Sequence, residues 1–512
     1  MTDKLQNFSL PGYSEKPDGW IIYAGFIVYL VCVALLVTAL PSDIFGADLR
    51  IPIVTIGIIA IWRYTWAMVH LLRSMVYRAY TFPRLRKKAE SLHNPNPAWL
   101  GVISLSFKLA PDELARSYRA LFRALSYRPY PVHVVASVTD LADIELTREI
   151  FAETAGMESV TLHLIQQDGS GKRPAIAEAL RCLHREVTDP ALRFEDGCVA
   201  LMDGDSLLPD DIFDNTLPFF VTHPRIGGLT TDNRSIVKGT ALAKEWYYVR
   251  MAQRHMYMCS LALSRKLLVL TGRFSVFRAS IVLDPEFMHQ MEYDSIKHWR
   301  LGTIRLLTGD DKTSWYFVLK QGWEMLYVPD TCIMTQETLP SNNFMYGTLQ
   351  LMIRYFGNML RSNWRAVRLG PRRTGAFLWW CLIDQRISYW TTLSGPFLSL
   401  LVAVFVSPYF LLVYFLWVMI SRLFHTTLIY LHRGRFSPLF IPVIFYNQVV
   451  GSWVKLHMHF RMDRQSWTRH RIGVAMKDVF WSAYLNVVAI LAFLIFLGFL
   501  TGLLQVPSLS AL

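Results

Sequence analysis

Charged side chains make up only 18% of this 512-residue sequence, and cysteine occurs six times. The cysteines (Cys32, Cys182, Cys198, Cys259, Cys332 and Cys381) include no C-x-x-C pair, so neither a zinc site nor a disulfide framework is signalled, and a reducing compartment fits. No G-x-x-x-x-G-K-[ST] segment is present, which excludes a P-loop as the phosphate holder. A cleavable leader is missing as well: the first apolar run, residues 20 to about 40, is too long for a signal h-region, and Leu40-Pro41-Ser42-Asp43 holds no small-x-small site. The basic residues form no single block. They border the apolar stretches, which sets aside nucleic acid as a partner despite a net charge of +13 and points to membrane lipids on the cytoplasmic side.

Apolar surface is what the chain has in abundance, with 53% hydrophobic and 14% aromatic residues. That is too apolar for several soluble domains, so membrane spans are expected. About five are read, at residues 20–40, 51–70, 390–406, 410–430 and 481–504. The segment after the second carries Arg73, Arg78, Arg84, Arg86, Lys87 and Lys88, which places the domain after it in the cytoplasm. Residues 376–389, with Asp384 and Arg386, read as interfacial. So do 439–460: were they to cross, Arg461, Arg464, Arg469, Arg471 and Lys477 would lie outside, against the charge bias. The chain divides as two spans (1–72), a cytoplasmic domain (73–343), acceptor and interfacial helices (344–389), two spans (390–431), an interfacial helix with a gating segment (432–480), and a last span with its tail (481–512).

In the cytoplasmic domain, short β-rich runs at 100–107, 132–138, 160–165 and 199–202 alternate with helical patterns such as 175–187, an α/β arrangement with a mostly parallel sheet. The last run ends in Asp203-Gly204-Asp205, at the strand tip where ligands of open α/β sheets gather; Gly204 permits a tight turn, so both carboxylates can reach one hard divalent cation. Asp140 and Asp143 follow the second run, where they could grip a base or ribose or serve as helix caps. Lys172 closes the Gly-rich turn Asp168-Gly169-Ser170-Gly171 at a helix mouth suited to phosphate. Asp310 and Asp311 form a second pair at the start of a helix read over 313–320, where a like charge and burial would raise one pKa toward that of a base. Between the pairs, the small residues of Thr271-Gly272-Arg273 could let a sugar chain approach the backbone, although a tight strand turn looks the same. Gln350 and Arg354, four apart, share a helix face, and Tyr355 beside the arginine combines a cation with a stacking surface.

These motifs, in this order and between spans, resemble the D, D-x-D, [ET]-D, Q-x-x-R-W series of processive family 2 glycosyltransferases, the cellulose, chitin and hyaluronan synthases. Leu307-Thr308-Gly309-Asp310-Asp311-Lys312, Leu369-Gly370-Pro371-Arg372-Arg373 and Asp463-Arg464-Gln465-Ser466-Trp467-Thr468-Arg469 are closer still to the catalytic subunits of bacterial alginate (mannuronan) synthases. The likeness implies a GT-A-like domain inserted between transmembrane helices in the bacterial inner membrane. It implies Asp203 and Asp205 on Mg²⁺ or Mn²⁺ and the donor diphosphate, Asp311 (beside Asp310) as general base, and Asp140 or Asp143 on the nucleobase. It further implies Lys172 on phosphate, and Gln350, Arg354, Tyr355 and Thr271-Gly272-Arg273 around acceptor and pyrophosphate. Trp467-Thr468-Arg469 would gate the donor site. The donor expected is GDP-mannuronate and the product a β-linked polyuronate, an exopolysaccharide, for which the arginines between Arg354 and Arg386 offer a cationic route or surface anchors. The alternatives are a non-processive transferase acting on a lipid phosphate and a synthase of another β-linked polysaccharide. The Q-x-x-R-W tryptophan is Tyr355 here. No R-x-x-x-R with a following [DN]-x-S-x-x-G segment is present, the nearest stretch, Asn233 to Gly239, coming just after a predicted core strand. A cyclic di-GMP receptor is therefore expected on a separate PilZ-type co-polymerase subunit, alongside periplasmic and outer-membrane export proteins.

Overall fold

In the computed structural model, residues 19–42, 47–167, 171–187, 192–467, 470–471, 476–502 and 504 are described. The strands are β1 Trp99–Leu105, β2 Val132–Val138, β3 Val160–Gln166, β4 Gly197–Asp203, β5 Ser206–Leu207, β6 Ile226–Lys238, β7 Phe274–Arg278, β8 Ser295–His298, β9 Gly302–Arg305, β10 Glu324–Thr338, β11 Ser466–Trp467 and β12 His470–Arg471. Eight of them form one sheet in the order β3-β2-β1-β4-β7-β6-β10-β5. The strands β1 to β4 run parallel, β7 is antiparallel to both β4 and β6, and β6 and β10 are parallel neighbours. Continuous apolar runs make these strands because they are buried on both faces: β1 and β4 expose only their last residues. Helix Lys172–Glu186 packs on β1 and β2. The fit is close at Gly101, where a Cβ would come within 2.5 Å of Leu183. Asn233 to Lys238, expected after a core strand, lie inside β6 and pair with β10 over its length.

The apolar helices meet this domain end-on. Helix Ala47–Val76 continues through one π-turn, Tyr77–Thr81, into Phe82–Glu90, with no break near the boundary read at residue 72. Its end is fixed to the sheet by the Tyr77 hydroxyl on the Tyr327 carbonyl (2.6 Å) and by Arg86 on Asp330 (2.6 Å). Residues 376–389 do not form a separate interfacial piece: Ala376–Phe405 is one 30-residue helix, about 45 Å long at 1.5 Å per residue. Asp384 does not interrupt it because Arg63 of the neighbouring helix offsets its charge at 2.8 Å. Helices Phe410–Arg433 and Phe440–Phe460 follow, then Met476–Leu500.

Among the described residues four helices are long and apolar enough to cross a membrane, and the helix Gly19–Thr38 adds a shorter apolar stretch at residues 22–38. Phe440–Phe460 is not among the four. The protein is a membrane protein. A further contact ties the spans to the sheet: Arg433, in the last turn of its helix, pairs with the buried Asp232 of β6 through two hydrogen bonds of 2.7 Å.

Candidate active site

Because β1, β2 and β4 are parallel, their C-terminal ends share one edge of the sheet, and β4 delivers Asp203 there. Gly204 is needed, but for space rather than for an unusual turn. Its amide donates to Leu105 O at 2.8 Å, and a Cβ would come within 2.0 Å of Ser106 Oγ. Any side chain would push the two aspartates off the tip of β1.

Lys172, in the first turn of its helix, donates to Asp203 Oδ1 at 2.6 Å and to Asp310 Oδ2 at 2.8 Å. Burial would lower its pKa, but the two carboxylates outweigh that and raise it, so the ammonium stays charged. Gly272 closes over this trio: a Cβ there would lie 2.9 Å from Lys172 Nζ and 3.1 Å from Asp310 Oδ2. The two aspartate motifs are therefore joined through one lysine.

Helix Asp310–Lys320 begins at Asp310, three residues before the sequence suggests, with Gly309 at a left-handed φ of 86° turning the chain into it. Both carboxylates sit in its first turn, where the helix dipole favours negative charge. Burial pulls Asp310 up, yet Lys172 and Arg173 win and hold it below the usual carboxylate range. Asp311 moves the other way, raised by burial and by the charge of Asp310, while accepting the Lys312 amide at 2.9 Å. The pair is thus split into one carboxylate kept ionised and one poised to take a proton.

Several participants carry no sequence signal. Asp294, 5% exposed, accepts two hydrogen bonds from Arg365 of helix Phe344–Arg368 (2.7 and 3.0 Å) and one from Thr313 at 2.7 Å, which also receives Arg173. It locks together the helices bearing Lys172, Asp311 and Gln350. Glu337, near the end of β10, pairs with Arg273. Burial, Asp203 and then Glu337 push the Asp205 carboxyl up to about 7, a crowd of carboxylates whose repulsion a hard cation would relieve.

On helix Phe344–Arg368, Gln350 lies one turn before Arg354, which donates to the Tyr355 hydroxyl at 3.3 Å. Arg250 also lies over the Tyr355 ring, 4.7 Å from its centre. Asp140 is exposed just beyond β2, while Asp143 is buried and its pKa is raised by burial and by Asp140. At the same edge the Gln167 amide donates to the Ser106 and Ser137 carbonyls at 2.6 and 3.2 Å and fixes the tips of β1 and β2.

Trp467 lies in β11, and Thr468 and Arg469 lie outside the described residues, as do Asp168 to Ser170. The approach to that segment is anchored to the site. Gln465 bonds Arg305 O (2.6 Å) and Leu307 N (3.1 Å) just before the Asp310 turn, and Arg361 bonds Met462 O at 3.0 Å.

A cavity of about 590 Å³ opens on the far side of Lys312 and Tyr355 and runs between the helices that hold Arg63, Asp384, Arg422 and Lys455. None of the arginines from 354 to 386 lines it. Three of them are engaged elsewhere: Arg361 on Met462, Arg365 on Asp294, Arg386 on Leu360 O. The cations facing the cavity are Arg63, Arg250, Arg254, Lys312, Arg422 and Lys455.

The sheet order, the paired carboxylates at its edge and the apolar helices define a membrane-embedded glycosyltransferase of the GT-A type. The family described as "Glycosyltransferase like family 2" matches residues 111–356. "Glycosyltransferase alg8" of Pseudomonas syringae pv. tomato is 38% identical over 452 residues, 88% of this chain and 91% of that protein. The protein of the same name from Azotobacter vinelandii is 36% identical over 457 residues, 89% and 90% of the two. The chain belongs to the alg8 glycosyltransferases. Among solved structures, the mannosyltransferase PcManGT of Pyrobaculum calidifontis, in complex with GDP-Man and Mn²⁺, is similar at 16% identity and a TM-score of 0.41, covering 78% of this chain and 98% of its own.

Proposed function

We propose that this glycosyltransferase is a processive, inverting polymerase that builds a β-1,4-linked polyuronate, the alginate precursor, from GDP-mannuronate and passes it across the bacterial inner membrane. The observation that carries this reading is the adjacency of the carboxylate cluster to a cation-lined cavity between the spans: Asp311 lines a small pocket with Lys172 and Asp310, and the next residue, Lys312, lines the cavity. A transferase that released a small lipid-linked product would not need such a cavity.

Asp311, the carboxylate of raised pKa, takes the proton of the acceptor hydroxyl. That oxygen attacks the anomeric carbon opposite the nucleotide, so an α-linked donor gives a β-linked product. Asp310 stays ionised against Lys172 and holds the helix start in register with Asp203. Asp203 and Asp205 would hold Mg²⁺ or Mn²⁺, which supplies neutralisation of the leaving diphosphate. Asp140 or Asp143 serves the base, and Gln350, Arg354 and Tyr355 position acceptor and pyrophosphate beside Thr271-Gly272-Arg273. Trp467-Thr468-Arg469 closes over the donor, and Gln465 and Arg361 carry its position to the base helix.

The basic segment from Arg73 to Lys88 after the second span puts the catalytic domain in the cytoplasm, and Phe440–Phe460 does not cross, since that would put the basic run from Arg461 outside. A cysteine placed near Ser466 should therefore be protected from membrane-impermeant labels in intact cells; ready labelling would mean that Phe440–Phe460 crosses, and the gate assignment would fall with it. The deciding experiment for function is to incubate purified membranes with a panel of nucleotide sugars. GDP-mannuronate alone should yield high-molecular-mass polymer, and preference for another donor would overturn the substrate assignment.

A further inference from the structure

The first turn of helix Asp310–Lys320 has two sides. Asp311 faces a small pocket shared with Lys172, Gly272 and Asp310, whereas Lys312, the next residue, faces the large cavity with Arg250, Arg254 and Tyr355. A group entering from the cavity meets Lys312 and Arg254 immediately before it reaches the base. In the polymerase reading the cavity is the acceptor side, with the donor beyond Asp311.

The cations on this side have carboxylates in the neighbourhood, Asp311 for Lys312 and both Asp232 and Asp311 for Arg254, but none in direct contact. Lys312 Nζ donates to Leu268 O at 2.6 Å and to Asn363 Oδ1 at 3.4 Å, both uncharged. Arg254 Nη2 is buried with no hydrogen-bond partner, and its Nη1 faces the Asn233 side-chain amide at 3.1 Å. Arg250 is packed flat against Trp246 and Tyr355, 4.3 and 4.7 Å from the ring centres. Among the described residues none of the three forms an ion pair. The one carboxylate in the cavity wall, Asp384, is taken by Arg63. The three cations are part-buried in the cavity wall, and the unpartnered Arg254 Nη2 would be completed by an anionic ligand there. A neutral glycan offers hydroxyls only, while a uronate offers one carboxylate per residue, matching the guanidinium fork and the ammonium.

We infer that Arg254 and Lys312, with Arg250 steadying Tyr355, form a carboxylate-binding subsite that reads the uronate carboxylate of the acceptor residue. The inference rests on the polymerase reading and deepens it. It makes acceptor charge, not only donor identity, a determinant of what is polymerised.

The test uses the full chain in detergent or nanodiscs and two acceptors, a mannuronan oligosaccharide and the same oligosaccharide with its carboxyls reduced to alcohols. Their binding is followed by intrinsic tryptophan fluorescence, without turnover. The intact protein should bind the mannuronan form about tenfold to a hundredfold more tightly, and Arg254→Gln or Lys312→Gln should bring the two acceptors near parity, with Arg254→Lys recovering part of the preference. Equal binding of both acceptors by the intact protein, or equal loss for both in the variants, would overturn the subsite. With turnover, the same variants should raise the KM for mannuronan acceptor while the choice between GDP-mannuronate and GDP-mannose is kept. A changed donor choice at constant acceptor would assign the cations to the donor sugar and also overturn it. Failure of the polymerase reading shows separately, as absence of transfer from GDP-mannuronate by the intact protein, and the binding comparison still decides the subsite.

Discussion

Lys172 Nζ lies 2.6 Å from Asp203 Oδ1, at the junction of two motifs more than a hundred residues apart in sequence. The same ammonium reaches Asp310 at 2.8 Å. A single cation thus sets the distance between the donor-side carboxylates at the tip of β4 and the helix that carries the base.

Replacing Lys172 by Met should remove the charge that holds Asp310 down. A carboxylate whose folded pKa is depressed contributes stability above its unfolded pKa, near 4, and loses it as pH falls. Without Lys172 only Arg173 and the backbone oppose burial, and Asp310 takes up its proton at higher pH than in the native chain. The acid limb of the pH–rate profile should move upward, with turnover at pH 7.5 reduced by about 100-fold or more, the scale of a mispositioned catalytic group. An unmoved acid limb would separate Lys172 from the titration of Asp310.

Asp311→Asn keeps the shape of the helix start but cannot accept a proton. Polymerisation should fall by about 10²–10⁴-fold, the usual contribution of a general base, while binding of the donor nucleotide is retained. Near-normal polymer yield would assign the base elsewhere.

Asp205→Ala should weaken donor binding and the requirement for metal together, measured by nucleotide binding with and without Mn²⁺. In the native chain the carboxyl pushed up to about 7 must lose its proton before it can ligate, so Mn²⁺ affinity should fall as pH drops from 8 to 6. Full turnover in excess chelator would contradict a metal at this position.

Asp232 is 2% exposed and its pKa sits well below the ordinary value: burial opposes this, and Arg433 and His255 prevail. Asp232→Asn leaves Arg433 buried without its partner and should cost about 3–5 kcal/mol, read as a lower unfolding midpoint in detergent. An unchanged midpoint would show that the helix Phe410–Arg433 is held to the sheet by packing alone.

Control by cyclic di-GMP is proposed to come from a separate receptor subunit on the cytoplasmic face, acting on the Trp467 segment through a shift between open and closed states. The stretch Asn233 to Lys238 is committed to pairing with β10 and is not free to form a nucleotide clamp. The isolated chain should neither bind cyclic di-GMP tightly nor be stimulated by it in a titration with the purified protein.

Elements with a local signal are legible in the amino-acid order alone. Apolar runs locate β1, β4 and the spans, because burial on both faces of a sheet, or in lipid, demands near-continuous hydrophobic residues, while β2 and the half-buried β3 show as short β-rich runs. The Asp203-Gly204-Asp205 and Asp310-Asp311 pairs are visible because acidic pairs beside a strand end or helix start are local patterns. Folding in three dimensions settles whatever depends on partners distant in the chain. Asp384 reads as a break before a span, and its pairing with Arg63 explains why one continuous helix instead runs through residue 405. Gly204 reads as a turn, and the approach of Ser106 shows that the space beside β1 is what excludes a side chain. Glu337, Asp294 and Arg433 are ordinary charged residues in sequence. They gain their roles from parallel strand pairing and helix docking, which bring Arg273, Arg365 and Asp232 within hydrogen-bonding reach. The arginines between Arg354 and Arg386 read as a cationic route or as surface anchors, yet the cationic lining of the cavity comes from four other helices and Lys312, because the shared wall of a cavity is set by packing and not by proximity along the chain.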